Sequence, residues 1–181
     1  LSATADYLGV RPFPELEEIA ERIPALQKED GHFGDPLSES GVADSDMAIM
    51  WGNGRMMVGL LEYHRLTGKS EALTTARRLG DFLIARSDQF NSEQVQQAFS
   101  DGKLAVGYIC WTQQIEGLAE LYELTGDRRY LDLAASIATR TRREPRQHSH
   151  GFLTSLRGIL RLYEVTGEGR FLEQVVGEWE G

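Results

Sequence analysis

Apolar residues recur along this chain at helical spacing, and one amphipathic phrase is written three times. Gly59-Leu-Leu-Glu-Tyr-His-Arg-Leu-Thr-Gly68 returns as Gly117-Leu-Ala-Glu-Leu-Tyr-Glu-Leu-Thr-Gly126 and as Gly158-Ile-Leu-Arg-Leu-Tyr-Glu-Val-Thr-Gly167. In the middle copy Ile115, Leu118, Leu121, Tyr122 and Leu124 line one stripe of a 3.6-residue period. Each copy stops at Thr-Gly, where glycine suits the left-handed position that closes a helix. A second stripe follows at once: Leu73, Ala76, Leu79, Phe82 and Leu83 after the first copy, and Leu131, Ala134, Ala135 and Ala138 after the second. Asp127 is placed to cap the helix after it, Ser70 offers the same hydroxyl chemistry, and Glu168 favours a helix start through the dipole. A helix that ends and restarts within a few residues is an antiparallel hairpin.

The pattern therefore predicts an all-α protein of repeated hairpins, about 45–86, 108–140 and 150–180, behind a leading helix over 14–29. Pro24 should kink or end that first helix. The extra length lies between hairpins, at 87–107 and 141–147. No run alternates convincingly enough for a strand. Gly59, Gly117 and Gly158 sit inside helices, where each costs about 1 kcal/mol against alanine. Their recurrence predicts close helix–helix approach.

Hairpins stacked side by side make an open solenoid or a closed ring. The expectation here is an arc of an (α/α)6 toroid, one incomplete domain over 1–181. An arc leaves apolar helix faces at its ends, so the remaining part of the barrel or self-association is expected to cover them.

Composition narrows the partners. A net charge of −9 argues against a nucleic-acid polyanion. The basic cluster Arg140, Arg142, Arg143 and Arg146 reads as a solvated connection, since no aromatic residues interleave it. No apolar run is long enough to span a bilayer. The single cysteine, Cys110, excludes an internal disulfide and lies in an apolar stretch, which reads as a buried thiol. The compartment stays open.

Four stretches carry a resemblance. They are Leu26-Gln-Lys-Glu-Asp-Gly-His-Phe-Gly34; Trp51-Gly-Asn-Gly-Arg55 running into Gly59; Gln114-Ile-Glu-Gly-Leu-Ala-Glu-Leu-Tyr-Glu-Leu-Thr-Gly-Asp127; and His148-Ser-His-Gly-Phe-Leu-Thr-Ser-Leu-Arg-Gly158. Together they resemble the six-hairpin glycosidases, and within them glycoside hydrolase family 127, the β-L-arabinofuranosidase-like enzymes. The resemblance implies a carbohydrate substrate, arabinofuranosides or related plant-type glycans, and a zinc-bound cysteine nucleophile held by a Glu-x-Cys element and a later cysteine pair. Neither element occurs in this sequence. Zinc is expected only with residues outside this stretch, and no catalytic residue carries over. Rival readings are another α-toroid sugar enzyme, of the unsaturated glucuronyl hydrolase or 2-epimerase type, and a non-catalytic helical scaffold for a protein partner.

The three inner helices begin with chemically distinctive segments that should gather on one rim. Sugars want aromatic faces, amides and imidazoles. Trp51, Asn53, Arg55, Trp111, Gln113, Gln114, His148 and His150 supply that mixture and form the expected substrate contacts. All but Asn53 have a plainer reading: packing for the tryptophans, helix polarity for the glutamines, a cap or loop for the histidines, an acid's partner for Arg55. His32 reads as a loop residue. Glu116 and Asp46 are the acids on that rim available for acid–base work. Glu116 is otherwise a buried acid paired to arginine, and Asp46 a helix cap. No metal set is assigned.

Overall fold

The computed structural model describes residues 14–39, 43–100, 107–143 and 148–180, and among them every regular element is a helix. Helix α1 spans Pro14–Arg22, and a single 3-10 turn, Ile23–Leu26, follows it. The periodicity predicts helix as far as residue 29. The α-helix stops earlier because Pro24 has no N–H for the Ala20 carbonyl and its ring crowds that turn. Three hairpins come next. The first pairs α2 (Asp44–Thr67) with α3 (Ser70–Phe90). A short helix, α4 (Glu93–Ser100), crosses the stretch between hairpins and buries Val95 and Phe99. The second hairpin pairs α5 (Gly107–Thr112) and α6 (Gln114–Thr125) with α7 (Arg128–Ala138). The third pairs α8 (Ser149–Thr166) with α9 (Gly169–Glu180).

The first helices of the hairpins pack side by side, α2 on α6 and α6 on α8, while α3, α7 and α9 back their own partners. The core fills the layer between the two sets, with Met57, Leu61, Leu79, Leu83, Ile115, Leu118, Leu121, Tyr130 and Ile159 fully buried. No described helix is long and apolar enough to cross a membrane.

The recurring Thr-Gly is one device used three times. Gly68, Gly126 and Gly167 hold φ of 72°, 71° and 72°, the left-handed region that glycine enters without a Cβ penalty. Each donates its N–H to the carbonyl four residues back, at 2.7 Å. The threonine before each does two jobs. Thr67, Thr125 and Thr166 donate their hydroxyls to Tyr63, Leu121 and Leu162, and accept from the N–H two residues on, at Lys69, Asp127 and Glu168. The hydroxyl thus adds a second donor to a carbonyl in the last turn of the ending helix and satisfies the N–H just before the next helix. Asp127 caps α7 by accepting from the Arg129 N–H at 3.1 Å. Ser70 does not cap α3; the N-cap position there is Lys69, which makes no side-chain capping bond.

The mid-helix glycines explain why the first helices lie so close. A Cβ on Gly117 would stand 3.0 Å from Met57 Sδ; one on Gly158 would stand 2.9 Å from the Glu116 backbone nitrogen and 3.0 Å from Ile115 Cβ. Gly158→Ala is therefore expected to destabilise by about 1–3 kcal/mol despite alanine's better helix propensity. Gly117→Ala should cost less, because a methionine side chain can move aside and a backbone amide cannot. Urea unfolding of the two variants checks this; a Gly158→Ala midpoint equal to or above wild type would contradict it.

Candidate functional site

The starts of α2, α5 and α8 meet at one end of the array. Trp51, partly buried, reaches His148 edge-on with ring centroids 5.8 Å apart, and His148 meets His150 at 6.0 Å, again edge to face. Both imidazoles are exposed. Gly151 permits this approach, since a Cβ there would overlap Ile109 and come 3.0 Å from the Trp51 ring. His148 is also the N-cap of α8: its Nδ1 accepts from the Gly151 N–H at 3.1 Å. That bond requires an unprotonated Nδ1 and leaves Nε2 as the outward-facing nitrogen. Trp51, His148 and His150 thus form an aromatic and imidazole lip.

Four other expected contacts are turned inward. Trp111 is 2% exposed, stacks on Phe90 at 4.5 Å, and its Nε1 donates to Asn91 Oδ1 at 3.4 Å. It is a core residue because its helix face meets the short α4 connection rather than the open end. Gln113 is buried, donating to the Gly151 carbonyl at 3.0 Å and to Ser155 Oγ at 3.3 Å. Gln114 is buried too, donating to the carbonyls of Met50 at 2.7 Å and Cys110 at 3.1 Å. With Thr112 on Ser155 at 2.6 Å, these amides stitch α6 to α2 and α8. Asn53 holds the Phe33 backbone in both directions at 2.8 Å and donates to Ile49 at 2.7 Å. Helix position decides these roles: a side chain that faces a neighbouring helix satisfies that helix's backbone instead of a ligand.

The two candidate acids are likewise committed. Asp46 is fully buried and accepts from Ser38 N at 2.9 Å, Ser38 Oγ at 2.5 Å and Ala43 N at 2.7 Å. Burial pushes its carboxyl up, but these hydrogen bonds outweigh it and hold the group below the usual carboxylate range. It caps α2 and ties the preceding loop to it. Glu116 gives one oxygen to Arg55, at 2.8 Å, and the other to Arg157. Paired at both oxygens with guanidiniums from α2 and α8, the Glu116 carboxylate ties three helices together. Both acids are engaged in structural contacts in this arrangement.

That clamp begins a larger network on the face opposite α3, α7 and α9. Arg65 pairs with Glu62 at 2.8 Å, Glu120 at 3.2 Å and Glu123 at 2.7 Å. Arg161 pairs with Glu123 at 2.5 Å and Glu164 at 3.0 Å. The charges ladder across α2, α6 and α8 around a cavity of about 360 Å³. Glu62–Arg65 and Arg161–Glu164 are i,i+3 pairs within one helix, but the pairs to Glu120 and Glu123 cross between helices; the recurring acid and arginine positions within the phrase are the signal that would have found those. His32 is buried, with Nδ1 2.6 Å from Asp30 Oδ1 and Nε2 3.0 Å from the Asp35 carbonyl, so it staples its own loop. Arg140 bonds Ser136 and Arg143 bonds the Glu178 carbonyl; Arg146 lies outside the described residues.

The chain does not suit a zinc-thiolate centre. Among the described residues no three His, Cys, Asp or Glu side chains come together as a ligand set. Cys110 is buried, and desolvation pushes its thiol up to about 12, so it is held as a neutral thiol rather than a ligand or nucleophile.

Side-by-side helical hairpins with their first helices gathered at one end define an α-hairpin array. A solved structure described as a glycoside hydrolase shares this fold, with a TM-score of 0.63 and 20% sequence identity over 99% of this chain and 30% of that one. The family model for the β-L-arabinofuranosidase GH127 catalytic domain matches residues 1–157, and the chain belongs to that family. It is 32% identical over 151 residues to the non-reducing end β-L-arabinofuranosidase of Bifidobacterium longum subsp. longum. The match takes in 74% of this chain and 21% of that relative, so the chain spans about a fifth of the relative's length.

Proposed function

We propose that this chain forms three consecutive hairpins of an (α/α)6 toroid and lines part of the sugar cleft of a glycoside hydrolase acting on β-L-arabinofuranosides. The observation that carries the reading is the lip of Trp51, His148 and His150, drawn from two helices that are far apart in sequence. Family membership and the activity named for the Bifidobacterium relative support the choice of sugar. A tryptophan face suits the apolar side of a furanose ring, and imidazole nitrogens suit its hydroxyls. The Arg55–Glu116–Arg157 clamp below the lip holds the three first helices at fixed separation. This chain then binds and orients, with Asp46 and Glu116 serving structural contacts.

Titration of the chain with methyl β-L-arabinofuranoside, followed by tryptophan fluorescence or NMR, tests this. Trp51→Ala and His150→Ala should each weaken binding at least tenfold while leaving far-UV circular dichroism unchanged. Binding that survives both substitutions would sink the assignment of the lip. No turnover is expected from the chain alone.

A further inference from the structure

The lip is held from behind by two adjacent side chains. Helix α5 ends at Thr112 and α6 begins at Gln114, so Gln113 and Gln114 stand at the break between them. Consecutive helical side chains diverge by roughly 100°, and these two reach opposite neighbours. Gln114 turns to α2 and donates to the Met50 carbonyl at 2.7 Å. That carbonyl belongs to the peptide unit whose nitrogen is that of Trp51. Gln113 turns to α8 and donates to the Gly151 carbonyl at 3.0 Å. Gly151 is the residue whose own N–H meets His148 Nδ1. One amide therefore grips the backbone that carries the tryptophan. Its neighbour grips the backbone that orients the imidazole.

Glycines bring both neighbours onto the pair. A Cβ on Gly54 of α2 would stand 2.9 Å from the Gln113 carbonyl oxygen and 2.9 Å from Gln114 Oε1. On the other side the Trp51 ring already rests against the α8 backbone at Gly151. Stability alone gives no reason for amides here. Both glutamines are buried, and each leaves its Oε1 without a hydrogen-bond partner among the described residues. An apolar side chain of the same shape would avoid that cost. The carbonyls do not need the amides either, because Met50 and Gly151 lie inside α2 and α8, where the helix ladder supplies a donor four residues on. What the amides add is the placement of two backbones relative to each other.

We infer that Gln113 and Gln114 are positioning residues for the lip: through the Gly151 and Met50 carbonyls they set how His148 and Trp51 face each other. The effect on sugar binding rests on the reading of the lip proposed above; the geometric claim does not. The roles of the two amides differ. Gln113 acts through Gly151, so it governs the imidazole: His148 keeps Nδ1 on the Gly151 N–H and turns an Nε2–H outward as a donor, which suits an oxygen lone pair of a sugar. Gln114 acts through the Met50–Trp51 peptide, so it governs the reach of the indole alone.

Gln113→Met and Gln114→Met keep the side-chain length and remove the donors. NMR of the sugar-free chain at about pH 8, where an ordinary imidazole is neutral, separates the two roles. Wild type should show His148 as the Nε2–H tautomer and an NOE between the Trp51 and His148 rings. Gln113→Met should mix the His148 tautomers. Gln114→Met should leave the tautomer alone and weaken the NOE. Ser155→Ala takes a hydroxyl donor off the same Gly151 carbonyl with little change of volume, and it should shift the tautomer in the direction of Gln113→Met. Titrated with methyl β-L-arabinofuranoside, each glutamine variant should bind about three- to tenfold more weakly, the cost of a loosened support rather than a lost contact. Folded variants with the wild-type tautomer and NOE overturn the inference, whatever their urea midpoints, because the pair then only stitches helices. Identical changes in both variants overturn the division of roles. The NMR signals are read without sugar, so they decide the geometric claim independently of the titration that tests the lip.

Discussion

Trp111→Ala is expected to destabilise the chain by about 3–5 kcal/mol, the range for removing a fully buried aromatic side chain. The ring is 2% exposed, lies against Phe90 with an interplanar angle of 13°, and fills the junction between the second hairpin and the short α4. Truncation leaves a cavity that helices pinned by the Gln113 and Gln114 backbone bonds cannot collapse. The same substitution separates a core role from a ligand role. At a temperature where the variant remains folded, its affinity for methyl β-L-arabinofuranoside should stay within a factor of about two of wild type, a difference worth less than 0.5 kcal/mol. A variant of wild-type stability that loses the sugar would return Trp111 to the lip. Chemical denaturation paired with the titration measures both quantities.

The second large effect is a pH dependence set by Glu120. The residue is 4% exposed, between Arg65 and Arg161. Burial is the dominant influence on its carboxyl, ahead of the opposing pull of Arg65, and Glu116 and Glu62 add to the rise; the group is pushed up to about 7. An unfolded glutamate titrates near 4.3. Between those values the folded state holds the proton more tightly than the unfolded state. Stability from this group is complete at and below the unfolded value and is lost as pH rises toward 7. The loss is about 1–4 kcal/mol, the upper end being the full shift at about 1.4 kcal/mol per unit. Glu120→Gln keeps the shape and cannot ionise. Its stability should therefore fall less than wild type between pH 5 and pH 7.5. Urea titrations across that window check the claim, and parallel slopes for the two proteins would refute it.

How much of this was legible depends on the range of the interaction. The hairpins were, because amphipathic period and the Thr-Gly stop act within a few residues, and the left-handed glycines appear where the phrase puts them. The close approach at Gly117 and Gly158 was legible from recurrence alone. The leading helix was overextended past Pro24. Among the rim residues, chemical type misled. Trp111, Gln113, Gln114 and Asn53 have the composition of a sugar cleft but serve the core and neighbouring backbones. Glu116 carried two readings, and the paired one holds, with Arg55 at 61 and Arg157 at 41 residues' separation.

By itself the sequence determined that this chain is helical, that its helices pair, and where each pair turns, since those outcomes follow from local hydrogen bonding and a 3.6-residue apolar period. Tertiary structure alone decided which side of each first helix faces a neighbour, the charged face or the open end. That choice separated the exposed Trp51–His148–His150 lip from the buried amides beside it. A rotation of one residue about a helix axis moves a side chain by roughly 100°, and only the packing of α2, α6 and α8 against one another sets that angle.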